Sequence, residues 1–153
     1  MTTRGKKHLD EMMPQLGQIC SQGFRRVAHY CRKQFQVPVA AIGMREGRHV
    51  RLYFSQDGQQ RLLVDDALCG LPLVIPGEQI FIRDLELVPE EMQPHLALAL
   101  GVRSYVGVPI FLRQQLVGSL NLADHQPRDF SSKEIARLKE LAKWTGNLME
   151  LHL

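Results

Sequence analysis

The chain has little of what would place it quickly. No apolar run approaches the ~20 residues that a membrane-spanning helix requires, which excludes an evident transmembrane segment. Its three cysteines, Cys20, Cys31 and Cys69, are odd in number, widely spaced and without a C-x-x-C pair. No disulfide framework is written there, and a reducing cytoplasm is the simplest setting. The start, Met1 to Lys7, is polar and basic with no apolar stretch behind it, unlike a secretory leader. Also missing are G-x-x-x-x-G-K-[ST], G-x-G-x-x-G and G-x-S-x-G, the phosphate cradles and the nucleophile elbow. The six histidines show no ligand-like spacing with cysteines or carboxylates. Asp65-Asp66 and Glu90-Glu91 are adjacent carboxylates on expected helix ends, where they serve better as dipole partners than as an acid–base pair. No enzyme chemistry and no metal site is legible.

What is present is an ordinary globular composition, 44% hydrophobic and 23% charged over 153 residues. That length fits one domain with a substantial core. The net charge of +3 is unevenly spread. Residues 1–36 hold seven basic and two acidic side chains, a net of +5, against twelve and fourteen, a net of −2, in the remainder. Without aromatic interleaving, this basic excess reads as a solvated helix face, with neither nucleic acid nor membrane as partner.

From Pro14 the apolar positions Leu16, Ile19, Cys20, Phe24, Val27, Ala28, Cys31 and Phe35 step by threes and fours. They predict a helix that ends before Val37-Pro38, behind a flexible segment over residues 1–13. Val39–Met44 and His49–Phe54 around Glu46-Gly47 read as a β-hairpin closed by Gln56-Asp57-Gly58. A short helix around Cys69 is expected within Leu62–Leu73, and a strand over Gln79–Arg83 ended by Asp84. A helix should follow over Pro89–Leu100, split or shifted by Pro94 and capped by Gly101. Ser104–Phe111 and Leu116–Ala123 form a second hairpin. Ser131 and Glu134 form a capping box, with Phe130 and Ile135 as a hydrophobic staple, opening a last helix. Helices lie between hairpins rather than after every strand, which favours an α+β fold with an antiparallel sheet.

Three stretches then carry a resemblance. They are Gly101-Val102-Arg103-Ser104-Tyr105-Val106-Gly107-Val108-Pro109-Ile110, then Leu116-Val117-Gly118-Ser119-Leu120-Asn121-Leu122-Ala123-Asp124, then Pro127-Arg128-Asp129-Phe130-Ser131. In this order and spacing, with Ala67-Leu68-Cys69-Gly70 and Ile80-Phe81-Ile82-Arg83-Asp84-Leu85 ahead of them, the chain resembles the GAF family over about residues 20–150. The resemblance implies a GAF domain over 14–153, with a PAS-like central antiparallel sheet of five or six strands. Terminal helices would cover one face, and pocket-forming helices and loops the other. Gly107, Pro109 and Gly118 weaken strand packing, as expected where a ligand or another backbone comes close. Pro109 should leave its strand kinked, bulged or irregularly paired.

By the same resemblance the pocket would be lined by Leu52, Phe54, Cys69, Ile82, Asp84, Arg103, Tyr105, Gly107 and Asn121. Arg103 and Asp84 would orient a small molecule of unidentified nature, and Tyr105 would offer a ring face or a hydroxyl. Cys69 reads first as a small buried apolar residue and second as a pocket thiol. A related branch reduces free methionine-R-sulfoxide with cysteines around one pocket. Here Leu85–Tyr105, where that branch carries a catalytic cysteine, contains none. Bilin attachment lacks its cysteine in the same region, and the Asn-Lys-Phe-Asp-Glu signature of cyclic-nucleotide-binding members is missing. The resemblance therefore implies a non-catalytic sensor, possessing no assigned cofactor, that dimerises through its first and last helices and passes a signal to a fused or separate output domain. The alternatives are a reductase-like enzyme dependent on Cys69 and a dimerisation module with no ligand.

Overall fold

A computed structural model describes residues 3–55, 59–63, 68–74 and 79–153. The elements are α1 (Thr3–Phe35), β1 (Val39–Glu46), β2 (His49–Phe54), β3 (Gln59–Leu63), α2 (Leu71–Val74), β4 (Ile80–Ile82), α3 (His95–Ala99), β5 (Ser104–Leu112), β6 (Gln115–Asp124) and α4 (Ser132–Glu150). One six-stranded sheet runs β3-β2-β1-β6-β5-β4, antiparallel at every step. The expected α+β class and antiparallel sheet hold, and so do both hairpins. The closing turn at Gln56-Asp57-Gly58 lies outside the described residues.

The first helix is longer than its apolar pattern predicts. It begins at Thr3, so Pro14 is internal rather than in the first turn, and residues 3–13, expected as part of a flexible leader, continue the helix. An internal proline costs roughly 3 kcal/mol of helix propensity. Burial of Leu9, Met13 and Leu16 offsets that cost. The C-terminus is sealed from elsewhere in the chain: Arg128 donates to the carbonyls of Phe35 (2.6 Å) and Gln36 (3.0 Å). Gln36 itself sits at φ 52°, the left-handed cap position.

Two regions differ from expectation in type. Leu62 and Leu63 belong to edge strand β3, not to a helix; among the described residues of that stretch the helical structure is a 3-10 turn at Leu68–Gly70 and the single turn α2. The stretch Pro89–Leu100 is divided into a 3-10 turn, Glu90–Met92, and α3. The division falls at Gln93-Pro94, where proline disfavours a helical residue before it. Gly101 takes the left-handed cap, φ 82°, and donates to the Leu98 carbonyl.

The last helix opens as read. Ser131 Oγ accepts from the Glu134 amide (3.1 Å), and Glu134 accepts from the Ser131 amide (3.0 Å). Arg113 and Gln114 both have positive φ and make the tight β5–β6 turn. The expected irregularity near Pro109 is a register shift one residue later, between Ile110 and Phe111. β4 pairs only with residues 105–107 of β5, so Pro109 lies beyond that ladder, where a missing donor is tolerated.

α1 packs on β1 and β2, α4 on β5, and the two helices on each other. The pairs Arg137–Tyr30 (3.0 Å) and Glu134–Arg128–Phe35 show that they run antiparallel. Their side of the sheet holds the main core, which includes Phe24, Ile42, Val106, Ile110, Leu120 and Leu138. α2 and the turn before it lie over β5 and β6 on the opposite face.

Candidate functional site

Strand side chains alternate between faces, and the registers carry that alternation across the sheet. Ala41 faces both Phe54 and Asn121, Asn121 faces Gly107, and Ile82 faces Tyr105. Leu52, Phe54, Ile82, Tyr105, Gly107 and Asn121 therefore share the face away from α1 and α4, called distal here. Each expected lining residue on a strand lies on that face. Asp84 and Arg103 follow it just beyond the ends of β4 and β5.

At the middle of the face Tyr105 lies flat instead of standing off the sheet. Its ring covers Gly107, so a Cβ added there would meet the Tyr105 hydroxyl, Tyr105 Cζ and Asn121 Oδ1. The missing side chain of Gly107 makes room for the ring of the residue two before it. The hydroxyl donates to Asn121 Oδ1. Asn121 Nδ2 donates to the Ser119 carbonyl (3.2 Å), Ser119 Oγ (3.0 Å) and the Ala41 carbonyl (3.3 Å). Ser119 Oγ in turn donates to the Cys69 carbonyl at 2.8 Å. A chain of polar groups thus runs from Tyr105 to the turn above the sheet. Tyr105 is 1% exposed, and burial raises its phenol well above the ordinary value.

Ser119 is a member of this network that sequence reading passed over. The signal was available, because Ser119 stands two residues before Asn121 on the same strand and so on the same face.

Cys69 lies in an apolar cluster with Ala41, Val50, Leu52 and Leu73, against Phe54. Burial pushes its thiol up to about 12, where almost none is thiolate at neutral pH. Cys20 and Cys31 belong to the core on the other side of the sheet, so the sheet stands between Cys69 and either possible disulfide partner.

The charged pair is turned on itself. Arg103 Nε and Nη2 reach Asp84 Oδ1 and Oδ2, each at 3.1 Å, a bidentate fork. Nη2 also lies 3.4 Å from Glu86. Asp84 Oδ1 accepts from the Glu86 amide as the cap of the following 3-10 turn. The Arg103 guanidinium and that amide hold the Asp84 carboxyl below its usual range. These two residues meet each other rather than the polar chain at Tyr105. Ile82 belongs to a separate cluster with Leu85, Val102 and Ala123.

The GAF domain profile matches residues 21–149, most of the chain. No curated protein matches it in sequence. Solved structures agree in fold. The PixJ GAF domain of Thermosynechococcus elongatus, in its blue-light-absorbing form, superposes with a TM-score of 0.71 at 18% identity, covering 86% of each chain. The free methionine-R-sulfoxide reductase of Neisseria meningitidis, in complex with its substrate, gives 0.68 at 19%, covering 92% of this chain and 87% of that one. The GAF domain of an Acinetobacter phosphoenolpyruvate-protein phosphotransferase gives 0.67 at 14%, covering 99% and 95%. With the profile spanning all six strands, the second half of α1 and nearly all of α4, the chain belongs to the GAF domain family, whose members are typically sensory domains.

Proposed function

We propose that this chain is a non-catalytic sensory GAF module that associates with a second copy through α1 and α4 and carries a small-ligand site on its distal face. The observation that carries this reading is a double seam on α4. Leu138, Ala142, Thr145 and Met149 are buried against the sheet. Leu141, Trp144, Leu148 and Leu151, at steps of three and four, form a second row, in which Leu141 and Leu148 are partly buried against the core and against Gly23 of α1 while the other two face outward. Trp144 is 54% and Leu151 80% exposed, and α1 adds Ile19 and Tyr30 beside them. A helix that needs one apolar stripe to cover a sheet carries a second for a partner helix, and a two-fold pairing of α1/α4 hairpins gives a four-helix contact. An exposed tryptophan at the centre of such a row is the usual anchor of an interface.

On the distal face a ligand would take the place of the Tyr105 ring above Gly107 and bond to Asn121. Movement of the overlying turn at Leu68–Gly70, held to the sheet by Ser119, would then relay occupancy toward the helices. Analytical ultracentrifugation at high micromolar concentration should find a dimer that Trp144→Arg converts to monomer; a wild-type protein that stays monomeric sinks the reading. Native mass spectrometry of freshly purified protein should find a co-purified small molecule.

One observation favours a second reading, a dimerisation module with no ligand. The hollow above Gly107 is filled by the protein's own ring, and Asp84 and Arg103 satisfy each other. That reading requires dimerisation with no co-purified molecule and no thermal shift from any added nucleotide, haem, amino acid or metal. The reductase reading is disfavoured, because Cys69 is a protonated thiol with no disulfide partner on its side of the sheet.

A further inference from the structure

The outer side of α1 carries a run of basic side chains, of which Arg25 also reaches over the Tyr53 ring. Arg25, Arg26, His29 and Lys33, with Tyr30, Gln34 and Ser55, line an open groove of about 540 Å³. No carboxylate lines it among the described residues, and Arg26, His29 and Lys33 are in none of the ion pairs formed there. Arg25, Arg26, Arg32 and Lys33 stand on the last turns of α1 with no carboxylate among residues 12–35 of the helix. α4 shows the ordinary solution: it alternates Lys133, Glu134, Arg137 and Glu140, with Arg137 paired to Glu140 at 3.0 Å. The acidic residues of α1, Asp10 and Glu11, lie four turns away.

Basic residues near a helix C-terminus usually answer its dipole. Here the Arg128 guanidinium already binds the terminal carbonyls of α1, and Arg26 and His29 lie before the last turn, beyond the reach of that effect. We infer that this groove binds a small ligand carrying two or more phosphate groups. The guanidinium of Arg26 offers a fork that fits phosphate oxygens, Lys33 adds charge, His29 adds a ring nitrogen about one helical turn away, and Gln34 and Ser55 add uncharged hydrogen-bonding groups. Arg32 Nη1 donates to Ser55 Oγ at 3.0 Å, which fixes that hydroxyl at the rim.

The lining also selects among anions. It contains no aliphatic anchor of the kind an acidic peptide would need. Tyr30 is its one aromatic ring, too few for a run of stacked bases. Most of the apolar face of α1 is consumed by the core, and the exposed Ile19 and Tyr30 are too little to insert into a bilayer. Phosphate groups on a soluble molecule are the chemistry that remains. This site is separate from the distal face and stands whether or not a ligand binds there.

Isothermal titration with inorganic tripolyphosphate tests it. Binding in the micromolar range is expected, weakening at least tenfold in Arg26→Gln/His29→Gln/Lys33→Gln and within twofold of wild type in Arg48→Gln/Lys133→Gln/Lys143→Gln, which removes surface charge elsewhere. Thermal denaturation of both variants controls for folding, and the single reversal Lys33→Glu should weaken binding without changing the melting temperature. Flotation with phosphatidylcholine vesicles containing phosphatidylinositol bisphosphate separates the two sources of phosphate. Soluble binding with no vesicle capture supports the inference; capture without tripolyphosphate binding overturns it in favour of a membrane surface. No binding at millimolar tripolyphosphate, or equal weakening in both triple variants, overturns it outright.

Discussion

The two faces of the sheet are built on opposite principles. The face under α1 and α4 is one continuous apolar core, in which Phe24 meets the edge of Tyr53 at 5.1 Å and neighbours such as Ile42, Val108 and Leu120 are fully buried. The distal face has two small apolar clusters, one around Cys69 and one around Leu85, with the polar chain of Tyr105, Asn121 and Ser119 among the strands between them. A continuous core loses stability in proportion to volume removed. A polar chain loses it through each unpaired group, and it can exchange one partner for another. The first face holds the fold; the second can rearrange its polar partners.

Substitutions on the two faces should separate these roles. The largest effect belongs to Phe24→Ala, which should cost about 3–5 kcal/mol in denaturant unfolding, because it opens a cavity in the continuous core. A smaller loss on this variant than on any distal one would break the contrast. Gly107→Ala should cost roughly 1–3 kcal/mol, since its Cβ meets the Tyr105 hydroxyl and ring. The double variant with Tyr105→Phe should cost less than the sum of the two, because deleting the hydroxyl relieves part of the clash. Tyr105→Phe alone should cost about 1 kcal/mol by leaving Asn121 Oδ1 without its donor.

Asp84→Asn should have the smallest effect, legible in pH dependence. The folded protein holds this carboxyl below its ordinary value. Its stabilising contribution is therefore present above the unfolded pKa of about 3.9 and is lost as pH falls from there through the lower folded value. In Asp84→Asn the acid limb of the stability curve should be slightly flatter below about pH 4, and the curve near neutrality slightly lower.

Sequence reading reached the elements whose chemistry is local. The Ser131–Glu134 box, the left-handed cap at Gly101 and both hairpins depend on residues within a few positions of one another. The lining residues were named from the family resemblance, and period-two alternation accounts for the shared face of those on strands. It did not reach β3, whose Gln-Gln-Arg-Leu-Leu sequence lacks alternation and becomes a strand by pairing with β2. Nor did it reach the start of α1, where packing of Leu9 and Met13 overrides a proline. At the distal face, the resemblance named residues but not their arrangement. A glycine in a strand announces that something comes close, but not that the visitor is the chain's own tyrosine. Likewise the charges of Arg103 and Asp84 were visible, whereas their fork depends on how β4 and β5 end side by side.

Arg128 has one further consequence. It grips the last carbonyls of α1 and also reaches Glu134 in the first turn of α4 (3.3 Å), so the two long helices are riveted at one end. A swing of α4 against α1 about that rivet would strain the Arg113–Glu150 pair at the helix's other end. The 19 residues of α4 span roughly 28 Å, so a five-degree swing would move the Leu151 end by about 2.5 Å while the riveted end stays nearly still. A disturbance too slight to notice beside the sheet would be enlarged by leverage at the C-terminal end of α4.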